Sequence, residues 1–103
     1  MAKLIHIVGP QGSGKTMLGA LIIADLKRRG KTALCPQDHG LIDYRETREP
    51  NRLRDRAFID PETGKATTYD VLVIEHERDL PPLGQVEHSD QVIHLQWARE
   101  VQR

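Results

Sequence analysis

Gly9-Pro10-Gln11-Gly12-Ser13-Gly14-Lys15-Thr16 satisfies the spacing G-x-x-x-x-G-K-[ST] at every fixed position. Three glycines in so short a span let the backbone turn tightly, so that successive N–H groups can point at a single polyphosphate anion. Lys15 adds a mobile cation for the β- and γ-phosphates. The Thr16 hydroxyl is placed to bind a magnesium ion that bridges the same phosphates. A second residue with chemistry to offer is Glu75, a carboxylate closing the apolar run Val71-Leu72-Val73-Ile74.

The elements that must position these groups can be read around them. Leu4-Ile5-His6-Ile7-Val8 is an apolar, β-rich run that stops at Gly9, and a helical pattern begins at about Lys15. Met17, Leu18, Leu21, Ile22 and Leu26 form that helix's apolar stripe, which continues to the basic end Lys27-Arg28-Arg29 and stops at Gly30. Thr32-Ala33-Leu34-Cys35 reads as a second strand ended by Pro36, completing a β-α-β unit with parallel strands and a right-handed crossover. Tyr69 to Glu75 carries four β-formers in succession, the mark of a strand buried on both faces. Gln91 to Trp97 predicts a fourth strand, with Val92, His94 and Gln96 on one face and Ile93, Leu95 and Trp97 on the other.

Strand, glycine-rich loop and helix together resemble the Walker A segment of the P-loop NTPase superfamily, and the strand ending in Glu75 resembles its Walker B strand. The resemblance implies a three-layer α/β fold with a small, mostly parallel sheet of about four strands. It also implies ATP and Mg2+ as ligands, with all eight residues from Gly9 to Thr16 holding the nucleotide. Thr16 and Glu75 would bind the metal, and Lys15 and Glu75 would serve catalysis. The pattern departs from the usual Asp-Glu pair, because Glu75 stands at the aspartate position and His76 and Glu77 follow. What orients an attacking water is therefore open among Glu75, Glu77, His76 or no base at all.

Slow ATP hydrolysis is the first reading. Phosphoryl transfer to a small acceptor is the alternative, since Gly9-Pro10-x-x-Ser13-Gly14-Lys15-Thr16 also resembles the loop of thymidine kinases, although the cysteines of their zinc-bearing lasso are missing. A third class is a non-catalytic nucleotide-binding module, or a subunit of a larger assembly, a homo-oligomer or a complex with a protein partner, whose arginine comes from a neighbour. No convincing N-K-x-D guanine-reading motif is present, which favours adenine. Strand order is not fixed by the sequence.

Between Gln37 and Thr68 the pattern is irregular, as expected of a substrate-specific insertion. A short helix beginning near Pro50-Asn51 would turn Leu53, Ala57 and Phe58 inward and leave the arginines solvated. Asp60-Pro61-Glu62-Thr63-Gly64 is a turn signal that would join Ala57-Phe58-Ile59 and Ala66-Thr67-Thr68 as a hairpin. Five arginines between Asp43 and Ala57 interleave with Asp43, Glu46, Glu49 and Asp55. That mixture argues against nucleic-acid binding by the isolated chain.

The 103 residues fit one minimal domain, and fifteen basic side chains balance fifteen acidic ones, so no global field favours nucleic acid or membrane. A lone Cys35 excludes an internal disulfide and points to a reducing, cytoplasmic setting. The five histidines, at 6, 39, 76, 88 and 94, show no metal-ligand spacing, which disfavours a zinc enzyme. No apolar stretch approaches membrane-spanning length, and Met1-Ala2-Lys3 carries no signal-peptide cleavage pattern.

Overall fold

The computed structural model describes residues 1–77, 81 and 84–96. Two six-residue strands, β1 (Lys3–Val8) and β5 (Val71–His76), lie side by side at the centre of a sheet. The short β2 (Ala33–Leu34) pairs with the outer side of β5, and β6 (Gln91–His94) with the outer side of β1. All pairings are parallel, and the order is β2-β5-β1-β6. The carboxylate-bearing strand is thus the immediate neighbour of the strand that feeds the glycine-rich loop. The expected α/β fold with a parallel sheet of four strands is present.

Both central strands are buried on both faces, so alternate side chains build two cores. Leu4, Leu72, Ile74 and Leu34 face Leu53, Phe58 and Tyr69, with Leu41 and Ile42 against them. Ile5, Ile7, Val71, Val73, Ala33 and Cys35 face the helix α1 (Lys15–Arg28) through Leu18, Ile22, Ile23 and Leu26. The α1 C-terminus closes as expected at Gly30: its N–H donates to the Lys27 carbonyl and that of Lys31 to the Leu26 carbonyl, the paired bonds of a Schellman ending.

The apolar stripe of α1 is rotated from the expected one. Met17 is 72% and Leu21 63% exposed, whereas Lys15 and Gly19 are buried. Gly19 lies against the sheet: a Cβ there would stand 3.5 Å from Val73 Cγ1 and 3.7 Å from Ile7 Cδ1. Those are ordinary contact distances, so Gly19→Ala is expected to stabilise the protein by about 0.5–1 kcal/mol through helix propensity. Urea unfolding would measure it, and a marked loss would show that the helix cannot tolerate even one added carbon at that contact.

The segment after β2 forms the layer on the other face. It contains a 3-10 turn, Pro36–His39, and a four-residue helix α2 (Tyr44–Thr47). Asp43 and Glu46 make a reciprocal capping box at the start of α2: the Asp43 side chain accepts from Glu46 N–H at 3.0 Å, and Glu46 accepts from Asp43 N–H at 3.3 Å. The helix expected at Pro50-Asn51 is only a 3-10 turn, Pro50–Arg52. Leu53 and Phe58 are buried as expected, but Ala57 is exposed, and Arg54, expected in solvent, is 2% exposed. The hairpin is present as β3 (Phe58–Ile59) paired antiparallel with β4 (Ala66–Thr67).

On β6 the alternation holds, with Ile93 and Leu95 packed on the α1-side core and Val92, His94 and Gln96 exposed. Trp97, expected on the same strand, lies outside the described residues, as does part of the Leu80–Gly84 link. Among the described residues no helix is long and apolar enough to cross a membrane.

Candidate functional site

Parallel strands all run the same way, so the loops after β1, β2 and β5 gather at one edge of the sheet. That edge brings the glycine-rich loop, the 3-10 turn after Cys35 and the Glu75 carboxylate together. Gly12, Gly14, Lys15, Thr16, Gln37 and Glu75 border one open cavity of about 500 Å³.

Within the loop, Gly14 is the N-cap of α1 at φ 94°, a left-handed conformation that a side chain would strain. No side-chain cap serves the helix and its first turn holds no acidic residue, so the helix start keeps its affinity for an anion. Gly9 is required for a different reason. A Cβ there would stand 2.6 Å from Ser13 Oγ and 3.2 Å from the Leu95 carbonyl, so the loop closes tightly against the end of β6. Ser13 Oγ is buried with no hydrogen-bond partner in the protein. An orphaned hydroxyl inside a loop of this shape fits an anion that would satisfy it. Lys15 is nearly buried and its Nζ donates to the carbonyls of Gly9 at 2.7 Å and Pro10 at 3.0 Å, which holds the ammonium at the mouth of the loop.

Thr16 and Glu75 meet across the edge: Thr16 Oγ1 donates to Glu75 Oε1 at 3.2 Å. A hydroxyl and a carboxylate are hard oxygen donors, the set that suits magnesium. The neighbours of Glu75 were not evident in the sequence. The Gln37 side-chain amide clamps its backbone, accepting from Glu75 N–H at 2.6 Å and donating to the Glu75 carbonyl at 3.0 Å. In effect it extends the two-residue β2 alongside β5 by one side chain. Cys35 Sγ donates to Glu75 Oε2 at 3.5 Å, and ligand atoms of Cys35, Asp38 and Glu75 all lie within 4.8 Å of one another. Burial, followed by the nearby Asp38 carboxylate, pushes the Glu75 carboxyl above its ordinary range. Burial likewise pushes the Cys35 thiol up, so it stays protonated and matches the small buried thiol expected from its apolar run.

On the other face of the same strand end, a second cavity of about 730 Å³ is lined by Gln37, Ile42, Asp43, Tyr44, Thr47, Arg48, Glu75, His76 and Glu77. It shares Gln37, Glu75 and Glu77 with the cavity at the loop. Behind it runs a buried polar chain. His76 Nε2 is 2.9 Å from His6 Nδ1, and His6 Nε2 is 3.5 Å from Asp90 Oδ2. Asp90 in turn accepts two bonds from the Arg54 guanidinium, both at 2.7 Å. Burial, then the neighbouring His6, lowers His76 to about 4, and burial lowers His6 despite the opposing effect of Asp90. Burial alone would raise Asp90, but the Arg54 bonds and backbone N–H donors outweigh it and hold the carboxyl down at about 2. Nothing in the spacing of these four residues announces the chain, since His6 and His76 are 70 positions apart and Arg54 and Asp90 are 36. His94 and Gln96, on the exposed face of the last strand segment, border neither of these cavities.

Comparison with known proteins gives a coarse placement. The chain is 27% identical over 96 residues to protein RecA of Paramagnetospirillum magnetotacticum, which covers 82% of this chain and 28% of that protein. To protein RecA of Thermus thermophilus it is 29% identical over 108 residues, covering 91% and 32%. To protein RecA of Teredinibacter turnerae it is 28% identical over 97 residues, covering 82% and 28%. The chain therefore spans about three tenths of the length of the curated relatives it matches. This likeness supports the P-loop NTPase superfamily and nothing narrower. No family model and no solved structure matches.

Proposed function

We propose that the chain is a minimal nucleotide-binding unit that takes Mg-ATP in the Gly9–Thr16 loop and hydrolyses it slowly. The observation that carries this reading is the meeting of Thr16 and Glu75 at 3.2 Å, across 59 positions of sequence, on the cavity that Lys15 also borders. Within the Gly9–Thr16 loop the N–H groups of Gln11, Gly12 and Gly14 would hold the phosphates, since Pro10 has none and those of Gly9 and Ser13 donate to the His76 and Pro10 carbonyls, and Lys15 would stabilise charge growing on the transferred group. Thr16 and Glu75 would hold magnesium, which when bound neutralises the β- and γ-oxygens. The likeness to RecA proteins supports a nucleotide ligand and is compatible with self-assembly.

Glu75 is followed by His76 rather than by a second acid, and among the described residues no arginine borders the loop cavity, so in this reading a neighbour supplies one. Phosphate release is therefore expected on the order of 10⁻² s⁻¹ or below. Glu75→Gln should reduce magnesium-dependent release sharply while changing nucleotide affinity less. Rapid release, independent of protein concentration and intact in Glu75→Gln, would contradict both the metal assignment and the need for a partner.

A second reading is favoured by the cavity of about 730 Å³ that meets the loop cavity at Glu75. Its size suits a small molecule, and in this reading an acceptor there would lie next to the nucleotide loop. ADP formation that rises only on adding an acceptor would distinguish this transfer from hydrolysis.

A further inference from the structure

Helix α1 is apolar on two opposite faces. From Thr16 to Ala24 it carries no charged residue, yet the sheet uses one face only: Leu18, Ile22, Ile23 and Leu26 pack on the core, with Gly19 buried among them. On the opposite face Met17, Ala20, Leu21 and Ala24, spaced i, i+3, i+4 and i+7, are all exposed. A surface helix turns charged side chains to water, whereas one apolar on both faces is suited to lie between two layers. Two features of this outer stripe say what covers it. The first is shape. Along α1 the stripe runs large, small, large, small, so against a copy running the opposite way Met17 meets Ala24 and Ala20 meets Leu21, each large side chain opposite a small one. The second is charge. The stripe begins at Met17, which borders the loop cavity, and ends at Arg28, whose side chain is 76% exposed. Pairing about the midpoint of Ala20 and Leu21 sets position 28 of one helix level with position 13 of the other. A helical side chain leans back over its preceding turn, so the guanidinium lies towards Met17 and the cavity mouth, where among the described residues no arginine stands. Arg28 bonds Asp25 at 2.8 Å on the surface, and Asp25 keeps Arg29 at 2.9 Å if Arg28 turns away.

We propose that the outer stripe of α1 docks antiparallel on the same stripe of a second copy of this chain, and that each copy thereby brings Arg28 to the phosphates held in the other's loop. This rests on the nucleotide reading above and names the neighbour that it calls for. Without nucleotide, Arg28 faces the positive end of the other copy's helix, so pairing is weak. A bound triphosphate turns that repulsion into attraction and tightens the pair.

Sedimentation of the full chain, with and without magnesium and a non-hydrolysable ATP analogue, tests the pairing. A dimer is expected, tightened roughly tenfold or more by the nucleotide. Leu21→Lys, at an exposed position, should give a folded monomer that still binds the analogue. A wild type that stays monomeric with the analogue bound, or a dimer that survives Leu21→Lys, would overturn the surface. Register is read without any ligand. In an equal mixture of Met17→Cys and Ala24→Cys chains, oxidation should join unlike chains, because the buried Cys35 takes no part. A predominance of like-with-like products would overturn the antiparallel arrangement. Arg28→Ala should keep the nucleotide-free dimer but lose the tightening, and unchanged tightening would remove Arg28 from the site. Mixing Arg28→Ala with Lys15→Ala should restore phosphate release to about a quarter of the wild-type level, since half the pairs then hold one complete site. No recovery would likewise overturn the role of Arg28. Unlike-chain cross-links in a protein that binds no analogue would instead tell against the nucleotide reading and leave the docking surface standing.

Discussion

Arg54→Ala is expected to destabilise the protein by about 3–5 kcal/mol, because it leaves the buried Asp90 carboxylate without its main counter-charge. The Arg54 side chain is 2% exposed and that of Asp90 0%, so water cannot replace the missing guanidinium. The same truncation frees the Gln85 carbonyl and the Asn51 side chain, both of which accept from Arg54. Against a total stability of about 5–15 kcal/mol for a domain, such a loss is large. Urea unfolding near neutral pH would measure it, and a change below about 1 kcal/mol would mean that the pair is solvated in solution.

Acid should act on the same network. His6 and His76 have folded pKa values below the ordinary 6.5, His76 at about 4, so the unfolded chain binds more protons in this range. Their contribution is complete above about 6.5 and is lost as pH falls towards about 4. Asp90 adds a contribution present above 3.8 and lost as pH falls through about 2. Stability of the wild type should therefore decline in two stages on acidification.

Lys15→Ala is expected to weaken triphosphate binding by roughly ten- to a hundredfold. The lysine is the side-chain cation that the loop directs at the β- and γ-phosphates, and a charge-assisted hydrogen bond contributes about 1.5–3 kcal/mol. Its Nζ already sits at the loop mouth on the Gly9 and Pro10 carbonyls, so little reorganisation stands between the geometry and the bound state. Titration of a fluorescent ATP analogue, with and without magnesium, would test this. Equal affinity for wild type and a correctly folded variant would remove the phosphate-binding assignment.

Much of this architecture is written locally in the chain. The run ending at Val8, the eight-residue loop, the basic helix end at Gly30 and the run ending at Glu75 each carry their own signal, because periodicity and glycine placement act over a few residues. The rotation of α1 was not legible, since a stripe through Met17 and Leu21 and one through Gly19 and Ile23 both fit a 3.6-residue period. Only the packing of the helix on the sheet, with Gly19 against Val73 and Ile7, separates them. The capping box at Asp43 and Glu46 was present in the sequence but looked like interleaved surface charge. Gln37, Asp38 and Asp90 could not be placed, and Arg54 was expected in solvent, because their partners are brought to them by the sheet.

The most direct measurement of the central claim is the response of the backbone amides to ATP in the ¹⁵N-labelled wild type. Saturable shifts at Gly12, Gly14, Lys15 and Thr16, with Glu75 responding only when magnesium is added, are the expected result. Amides of the loop that stay unmoved in folded protein at saturating Mg-ATP, or shifts centred on a distant surface, would contradict it.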